Sequence, residues 1–574
     1  MKLKVYHRKK YYLVLILCLV AITTFIASCS NSISDPNTTS SSQPSSEKPL
    51  TQNHTVDTTN TSGTVEEAKP TSENVKSNSL YALDGTVDTK FYQTASPESQ
   101  GMSSEILYDM YQEIDTRGLD FHHIMILRNG KIVTEAHYYP YGADDLHIVN
   151  SITKDFTSAL IGIAIDDGLI GGVDDPVINY FENRIINNMS DNKRKLTIEN
   201  LLTMTAGMDW TEVGNYGGNQ DTYTQMWQSD DQIQFILDRD IVELPGTTFY
   251  YNTGASHLLS GILTNASGKS AFDYGTEKLF KPLGIHKLYW STDNQGVSSG
   301  GSRLFITPID LAKFGMLYLN QGKFQGKQLI QEDWISTSTS KIIDTPHGLA
   351  GQWGYGYQWW MNPFGGYSGR GYAGQYLFIL PEQNIVAVFM GSMGDNFYAP
   401  EQLMRDYVFK SVLSDSSITA NNMSDNKLKA LEKELPIEPN AYTVPLMPQI
   451  ASIVDTKTFT LDSGESFMLD FDLDAPNTSN KQISNSSFAT LTWHVEDSNY
   501  IVKVGLDGIY RFANCLDFYA DGKVSEVGFM GSWVNDHTFQ IKICPTDADS
   551  TYTLTLEYSE NKLNKTLITD MLGY

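Results

Sequence analysis

The chain has 574 residues, with 41 Lys and Arg against 67 Asp and Glu, a formal charge of −26 and four cysteines. That length leaves room for two to four domains, and 41% hydrophobic residues can fill sizeable cores. The acidic balance excludes nucleic acid as a partner, because no basic field would collect phosphates; four cysteines are too few for a disulfide framework.

Residues 1–29 read as an address. Lys2, Lys4, Arg8, Lys9 and Lys10 form a basic segment, Tyr11 to Ile26 an apolar run, and Ile26-Ala27-Ser28-Cys29 closes it. This is the pattern of a secretion signal, and its end resembles the lipobox of bacterial lipoproteins, which implies lipidation at Cys29. An uncleaved membrane anchor is the alternative. Both put the remainder outside the cytoplasm, held at the bacterial cell membrane, and a two-chain lipid is enough for stable anchoring. Residues 30–90 are rich in Ser, Thr, Asn, Pro and Glu, bury too little apolar surface to order themselves, and read as a tether with a reach of roughly 40 Å.

Residues 91–418 form the first folded region. Ser103 to Thr116 reads as a helix, and His122–Leu127 and Ile132–Ala136 flank Asn129-Gly130, a strong hairpin signal. Later, Gln375–Leu380 and Ile385–Met390 read as a second strand pair, followed by a helix from about Pro400 to Leu413. Roughly 200 residues of mainly helical pattern separate the pairs. One antiparallel sheet of early and late strands, flanked by helices and with an all-helical lobe beside it, is the economical arrangement. After a helix near Leu428–Leu435, residues 440–574 show seven or more short alternating strands and no helix, with turns at Asp507-Gly508 and Asp521-Gly522. This predicts a small all-β barrel or sandwich domain. Its Cys515 and Cys544 are either a disulfide or two buried thiols. No catalytic constellation stands out there, so a structural or substrate-gating role is expected.

The chemically loaded segment is Asn150-Ser151-Ile152-Thr153-Lys154-Asp155-Phe156, which opens an apolar helix ending near Gly168. The i, i+3 spacing puts Ser151 and Lys154 on one face. A serine hydroxyl needs a base to become a nucleophile, and lysine serves only if its pKa falls toward 7. The positive helix end disfavours the ammonium by ~0.3–1 kcal/mol, whereas burial supplies up to ~3–5 pKa units; desolvation must therefore do most of the activation. The bare S-x-x-K pattern is weak, recurring at Ser45/Lys48, Ser190/Lys193, Ser338/Lys341, Ser424/Lys427 and Ser559/Lys562, but none of these opens a long apolar helix. Two further segments add weight. Pro245-Gly246-Thr247-Thr248-Phe249-Tyr250-Tyr251-Asn252-Thr253-Gly254 precedes an apolar helix, and a tyrosine there can relay a proton. Gly369-Arg370-Gly371-Tyr372 leads into a strand, and its glycines let backbone N–H groups approach an oxyanion.

With these motifs in this order, together with Leu201-Leu202-Thr203-Met204-Thr205-Ala206-Gly207-Met208, Asp310–Gly315 and Tyr355–Trp360, the chain resembles the β-lactamase-related, penicillin-recognising serine hydrolases from about Phe91 to Leu413. That group includes class C β-lactamases, DD-peptidases, family VIII esterases and 6-aminohexanoate-dimer hydrolase. The resemblance implies Ser151 as acylated nucleophile, Lys154 as its base partner and Tyr251, six residues after Pro245, as the tyrosine. The oxyanion hole falls to the N–H of Ser151 and one near Tyr372. Thr253 stands where the family has Asn, and Gly369-Arg370-Gly371 where it has Lys-Thr-Gly. Thr253, Arg370, Gly371 and Tyr372 are thus the candidate substrate-side residues, with Arg370 either charging a substrate carboxylate or facing outward.

Gly296-Val297-Ser298-Ser299-Gly300 matches a nucleophile elbow but lacks its strand and helix, and reads as a flexible loop. His122 and His123 alternate on a strand and are expected to face opposite ways; His257 reads as a packed helix histidine. No metal or other cofactor is implied. The expected function is a surface-anchored serine hydrolase acting on a small ester, amide or peptide. A penicillin-binding protein or β-lactamase is the runner-up, and a non-catalytic binding lipoprotein of the same fold the third reading. Nothing in the sequence speaks to oligomeric state.

Overall fold

The computed structural model describes residues 92–212, 220–346, 353–473, 481–495, 498–516, 523–559 and 561–569. The expected signal, tether and Cys29, and the Asp521-Gly522 turn, lie outside them.

The strands that build the two larger sheets of the first region, in chain order, are β1 (Phe121–Arg128), β2 (Lys131–His137), β3 (His147–Ile148), β4 (Leu288–Trp290), β5 (Leu304–Ile306), β6 (Trp360–Met361), β7 (Tyr367–Gly371), β8 (Gln375–Leu380) and β9 (Ile385–Gly391). Six of them make one antiparallel sheet in the order β2-β1-β9-β8-β7-β6. The early hairpin therefore pairs with the late strands, as the sequence predicts. Asn129 and Gly130 turn the first hairpin with φ of 52° and 71°, the left-handed pair that such turns demand. A smaller sheet, β3-β5-β4, lies apart.

Both faces of the main sheet are buried, so its central strands are apolar throughout rather than alternating. Met125, Leu127, Leu377, Ile379, Val386 and Val388 pack on one side with α2 (Thr153–Asp166) and with Leu311, Phe314 and Leu317 of helix Pro308–Leu319. Ile124, Ile126, Phe378, Ala387 and Phe389 pack on the other with α1 (Ser104–Arg117) and with Leu403, Met404 and Val408. Helix α2 is buried along nearly its whole length, which explains its lack of a polar stripe. The helical lobe is built from α3 (Ile198–Leu202), α4 (Thr222–Gln228), α5 (Gln232–Leu237) and α6 (Thr253–Ser267). Asn252 caps α6 by accepting from Ala255 N, and Gly268 ends it at φ 68°.

The C-terminal domain is a nearly closed, barrel-like sheet running from Phe459 to Thr569. Its pairing is antiparallel except where Gly505 lies opposite Met530. Two expectations need correction. A short helix, Ile450–Val454, is present, because Ile450, Ala451 and Val454 fall on one helical face and pack into the domain core. The Asp507-Gly508 turn does not close a simple hairpin, since Arg511–Leu516 pairs with Val524–Trp533. Of the two readings left open for Cys515 and Cys544, the structure takes the second: both are free, buried thiols.

Phe156, fully buried beneath the start of α2, stacks on Phe314 at 3.8 Å. Phe156→Ala is expected to cost ~3–5 kcal/mol, read as a lower urea midpoint for unfolding of the hydrolase region.

Candidate active site

A 3₁₀ turn, Asn150–Ile152, delivers Ser151 to the start of α2. One turn on, Lys154 is 1% exposed. Its Nζ donates to Ser151 Oγ at 2.9 Å, to Thr253 Oγ1 at 3.0 Å and to the Gly301 carbonyl at 2.7 Å. The three acceptors are not equivalent. Gly301 offers only a carbonyl, which must receive an N–H. Thr253 Oγ1 donates its own proton to Glu212, so it too can only accept from the amine. When Lys154 is neutral, its two N–H bonds go to Gly301 and Thr253, and its lone pair is left facing Ser151. Burial lowers the Lys154 pKa to about 8, against the opposing pull of the Glu212 and Asp155 carboxylates.

Tyr250 and Tyr251 part company here. Tyr250 is 49% exposed, and its N–H bonds the Met204 carbonyl. The Tyr251 ring lies 4.9 Å from Lys154 Nζ, and its hydroxyl hydrogen-bonds Ser151. It stacks on Trp360 at 5.9 Å, against a cluster of Met204, Phe249 and Tyr355. Burial raises its phenol well above the ordinary range, so at neutral pH it holds its proton and can give it up only as a new base develops beside it.

Thr253 does not face a substrate. Its N–H and hydroxyl both bond Glu212, the N–H at 2.8 Å, and its oxygen receives Lys154. Trp210 Nε1 adds a third bond to Glu212 at 2.8 Å. Glu212, fully enclosed by burial that raises its pKa, is a candidate site residue that sequence reasoning missed. The one available signal was its place just after the Leu201–Met208 run; nothing in a single sequence separates it from the other acidic residues.

The third side of the site is the end of β7. A Cβ on Gly371 would lie 2.3 Å from the Val149 carbonyl, so only glycine lets this strand approach the nucleophile turn. Asn150 Nδ2 donates to the Tyr372 carbonyl at 3.0 Å and joins the two. Arg370 is neither outward-facing nor available to a substrate: it is buried, Glu401 pairs with its Nη1 at 3.1 Å, Ser368 Oγ accepts from its Nε and Asn362 Oδ1 from its Nη2, and Trp353 covers it at 4.0 Å. Beside Lys154, the buried Asp155 carboxyl has no partner from another described residue and is pushed well above the carboxylate range by desolvation.

The Gly296–Gly300 segment is a packed element, not a flexible loop. Ser298 and Ser299 are buried, and Ser298 Oγ accepts from Phe272 N. His257 accepts from Gly300 N and pairs with Asp293 at 3.1 Å, so it braces the turn that presents the Gly301 carbonyl to Lys154. A Cβ on Gly301 would come within 2.6 Å of Thr253, which is why this carbonyl can reach so close. His122 and His123 are not on opposite faces: a register shift between Phe121 and His123 brings both rings near Tyr141 and His147. Among the described residues no group of three or more His, Cys, Asp or Glu is arranged to hold a metal ion.

The Beta-lactamase family model matches residues 123–406, which include Ser151, Lys154, Glu212 and Tyr251. An uncharacterized protein of Alkalihalophilus pseudofirmus is 23% identical over 338 residues, covering 51% of this chain and 91% of its own. The 6-aminohexanoate-dimer hydrolase of Paenarthrobacter ureafaciens is 24% identical over 295 residues, covering 47% of this chain and 72% of its own. Among solved structures, EstCE1, described as a hydrolase with promiscuous acyltransferase activity, is 16% identical at a TM-score of 0.46, covering 55% of this chain and 99% of its own. Through residues 123–406 this chain belongs to the β-lactamase-fold family of serine hydrolases.

Proposed function

We propose that the chain cleaves an ester or amide through an acyl-enzyme on Ser151. The observation that carries this reading is the 2.9 Å contact between Ser151 Oγ and a buried Lys154 whose other two hydrogen bonds are committed elsewhere. As Oγ attacks the substrate carbonyl carbon, Lys154 takes the hydroxyl proton. The oxyanion of the tetrahedral intermediate is held by the N–H of Ser151 and one near Tyr372. Tyr251 protonates the departing alkoxide or amine and is reprotonated by the Lys154 ammonium, and the C–O or C–N bond breaks. Water then attacks the acyl carbon, giving its proton to the same Lys154–Tyr251 pair; the acid product leaves and Ser151 recovers its proton.

Within this chemistry an ester or linear amide suits the site better than a β-lactam. Thr253 is turned to Lys154 and Glu212, and Arg370 is consumed by Glu401, so the second and third motifs offer no side-chain amide and no free cation to an antibiotic's carboxylate. The similarity to a 6-aminohexanoate-dimer hydrolase supports the same choice. We further propose that Cys29 carries a lipid and that the enzyme works outside the cytoplasm.

A fluorophosphonate should label the wild type and fail on Ser151→Ala, with little labelling of either by a fluorescent penicillin. Strong penicillin labelling would put the penicillin-binding reading first, and labelling of neither protein by either probe would sink the hydrolase. The active form of Lys154 is the free amine, so kcat/KM should climb with pH through a pKa near 8. Glu212→Gln removes a charge that favours the ammonium, and should move that limb to lower pH; a limb that stays in place would show that Glu212 does not act on Lys154. For the anchor, a fatty-acid label should enter the wild type in bacterial cells and be absent from Cys29→Ser.

A further inference from the structure

The turn that follows strand Thr538–Pro545 of the C-terminal domain reaches into the hydrolase site. Ile148 N donates to the Asp547 carbonyl at 3.0 Å. Two residues further along each segment, Asn150 Nδ2 donates to Asp549 Oδ2 at 2.6 Å, and the same nitrogen also bonds the Tyr372 carbonyl. Both N–H bonds of that amide are therefore used: one ties it to the oxyanion strand, the other to the C-terminal domain. Asn150 immediately precedes Ser151 and has φ 47°, a left-handed conformation that a non-glycine residue keeps only when its surroundings hold it.

The turn is itself anchored. Asp547 is buried and pairs with Lys523, with Ser525 Oγ at 2.9 Å as a further donor. The Lys523 ammonium lies 3.6 Å from the Phe305 ring of β5, and Tyr141 OH meets Cys544 Sγ at 3.4 Å. Asp549, half-buried, also accepts from Ser550 Oγ at 3.1 Å. A carboxylate so held is a rigid acceptor, unlike one on a mobile surface loop.

We propose that Asp549 is a positioning residue of the active site: its bond to Asn150 holds the nucleophile turn and the Tyr372 strand in register, so that the C-terminal domain completes the hydrolase. This rests on the reading of Ser151 as the nucleophile. Misplacing reacting groups by an ångström costs on the order of 100-fold, which sets the scale of the effect.

The test uses the full chain, with the second-order rate of fluorophosphonate labelling and kcat and KM for p-nitrophenyl acetate as readouts. Asp549→Ala should slow labelling by about 10- to 100-fold and lower kcat far more than it raises KM. Asp549→Asn keeps an oxygen that accepts the same N–H, and should recover most of the loss. Asn150→Ala should be as slow as Asp549→Ala, and the double variant no slower than either. Circular dichroism checks that each variant folds; if Asp549→Ala does not, Asn150→Ala and Asp549→Asn carry the comparison. Full activity in Asp549→Ala or Asn150→Ala overturns the proposal. So does Asp549→Asn as slow as the alanine variant, which would show that the negative charge of Asp549 matters and not the hydrogen bond it accepts from Asn150. A wild type that fails to label overturns the Ser151 reading, whereas a labelled wild type with unaffected variants overturns this proposal alone.

Discussion

A lysine with almost no solvent exposure must have each of its N–H groups matched, and the seat of Lys154 governs much of the surrounding architecture. Burial disfavours the ammonium, and the fall of its pKa from 10.5 to about 8 corresponds to a few kcal/mol. The helix end contributes a smaller share of that. Glu212 and Asp155 work in the opposite sense and keep the amine from becoming too weak a base. The result is a group poised near physiological pH, which is where a general base is most effective.

The three acceptors around Lys154 come from three separate parts of the chain. Ser151 is on its own turn, Thr253 opens α6, and Gly301 ends a segment braced by the His257–Asp293 pair. Direction matters as much as distance. Because Thr253 gives its proton to Glu212, it can only accept from the amine. That polarity leaves Ser151 as the one partner able to surrender a proton. Where the family pattern has Asn, the single hydroxyl proton of Thr253 is spent on Glu212. An asparagine there would bring its own donors and upset the same bookkeeping.

The same reasoning extends to the backbone. Gly371 and Gly301 are places where any side chain would collide with the nucleophile turn or with Thr253. The contact between Asn150 and Asp549 extends the active-site network into a domain whose sequence shows no catalytic pattern. In that domain the buried Lys523–Asp547 pair, covered by Phe305, fixes the turn against the hydrolase.

Several features were legible in one dimension because local spacing and periodicity produce them. The Asn129-Gly130 hairpin, the all-apolar helix behind Ser151, the strands Gln375–Leu380 and Ile385–Gly391, and the alternating segments of the C-terminal sheet all follow from patterns a few residues long. The i, i+3 placement of Ser151 and Lys154 belongs with them. Where one side chain meets another far along the chain, pattern was silent or misleading. Arg370 was free to be read as a substrate cation until Glu401 was found against it, and the choice between a bridge and two thiols at Cys515 and Cys544 stayed open until the fold left both free. The i, i+3 spacing of Ser151 and Lys154, the helix that carries them and the main antiparallel sheet were therefore legible in the sequence alone. The partners that enclose Lys154 (Glu212, Thr253 and Gly301), and the arrival of Asp549 at Asn150, were decided by tertiary structure. The physical reason is that desolvation and hydrogen-bond direction exist only once distant segments have closed around the same few atoms.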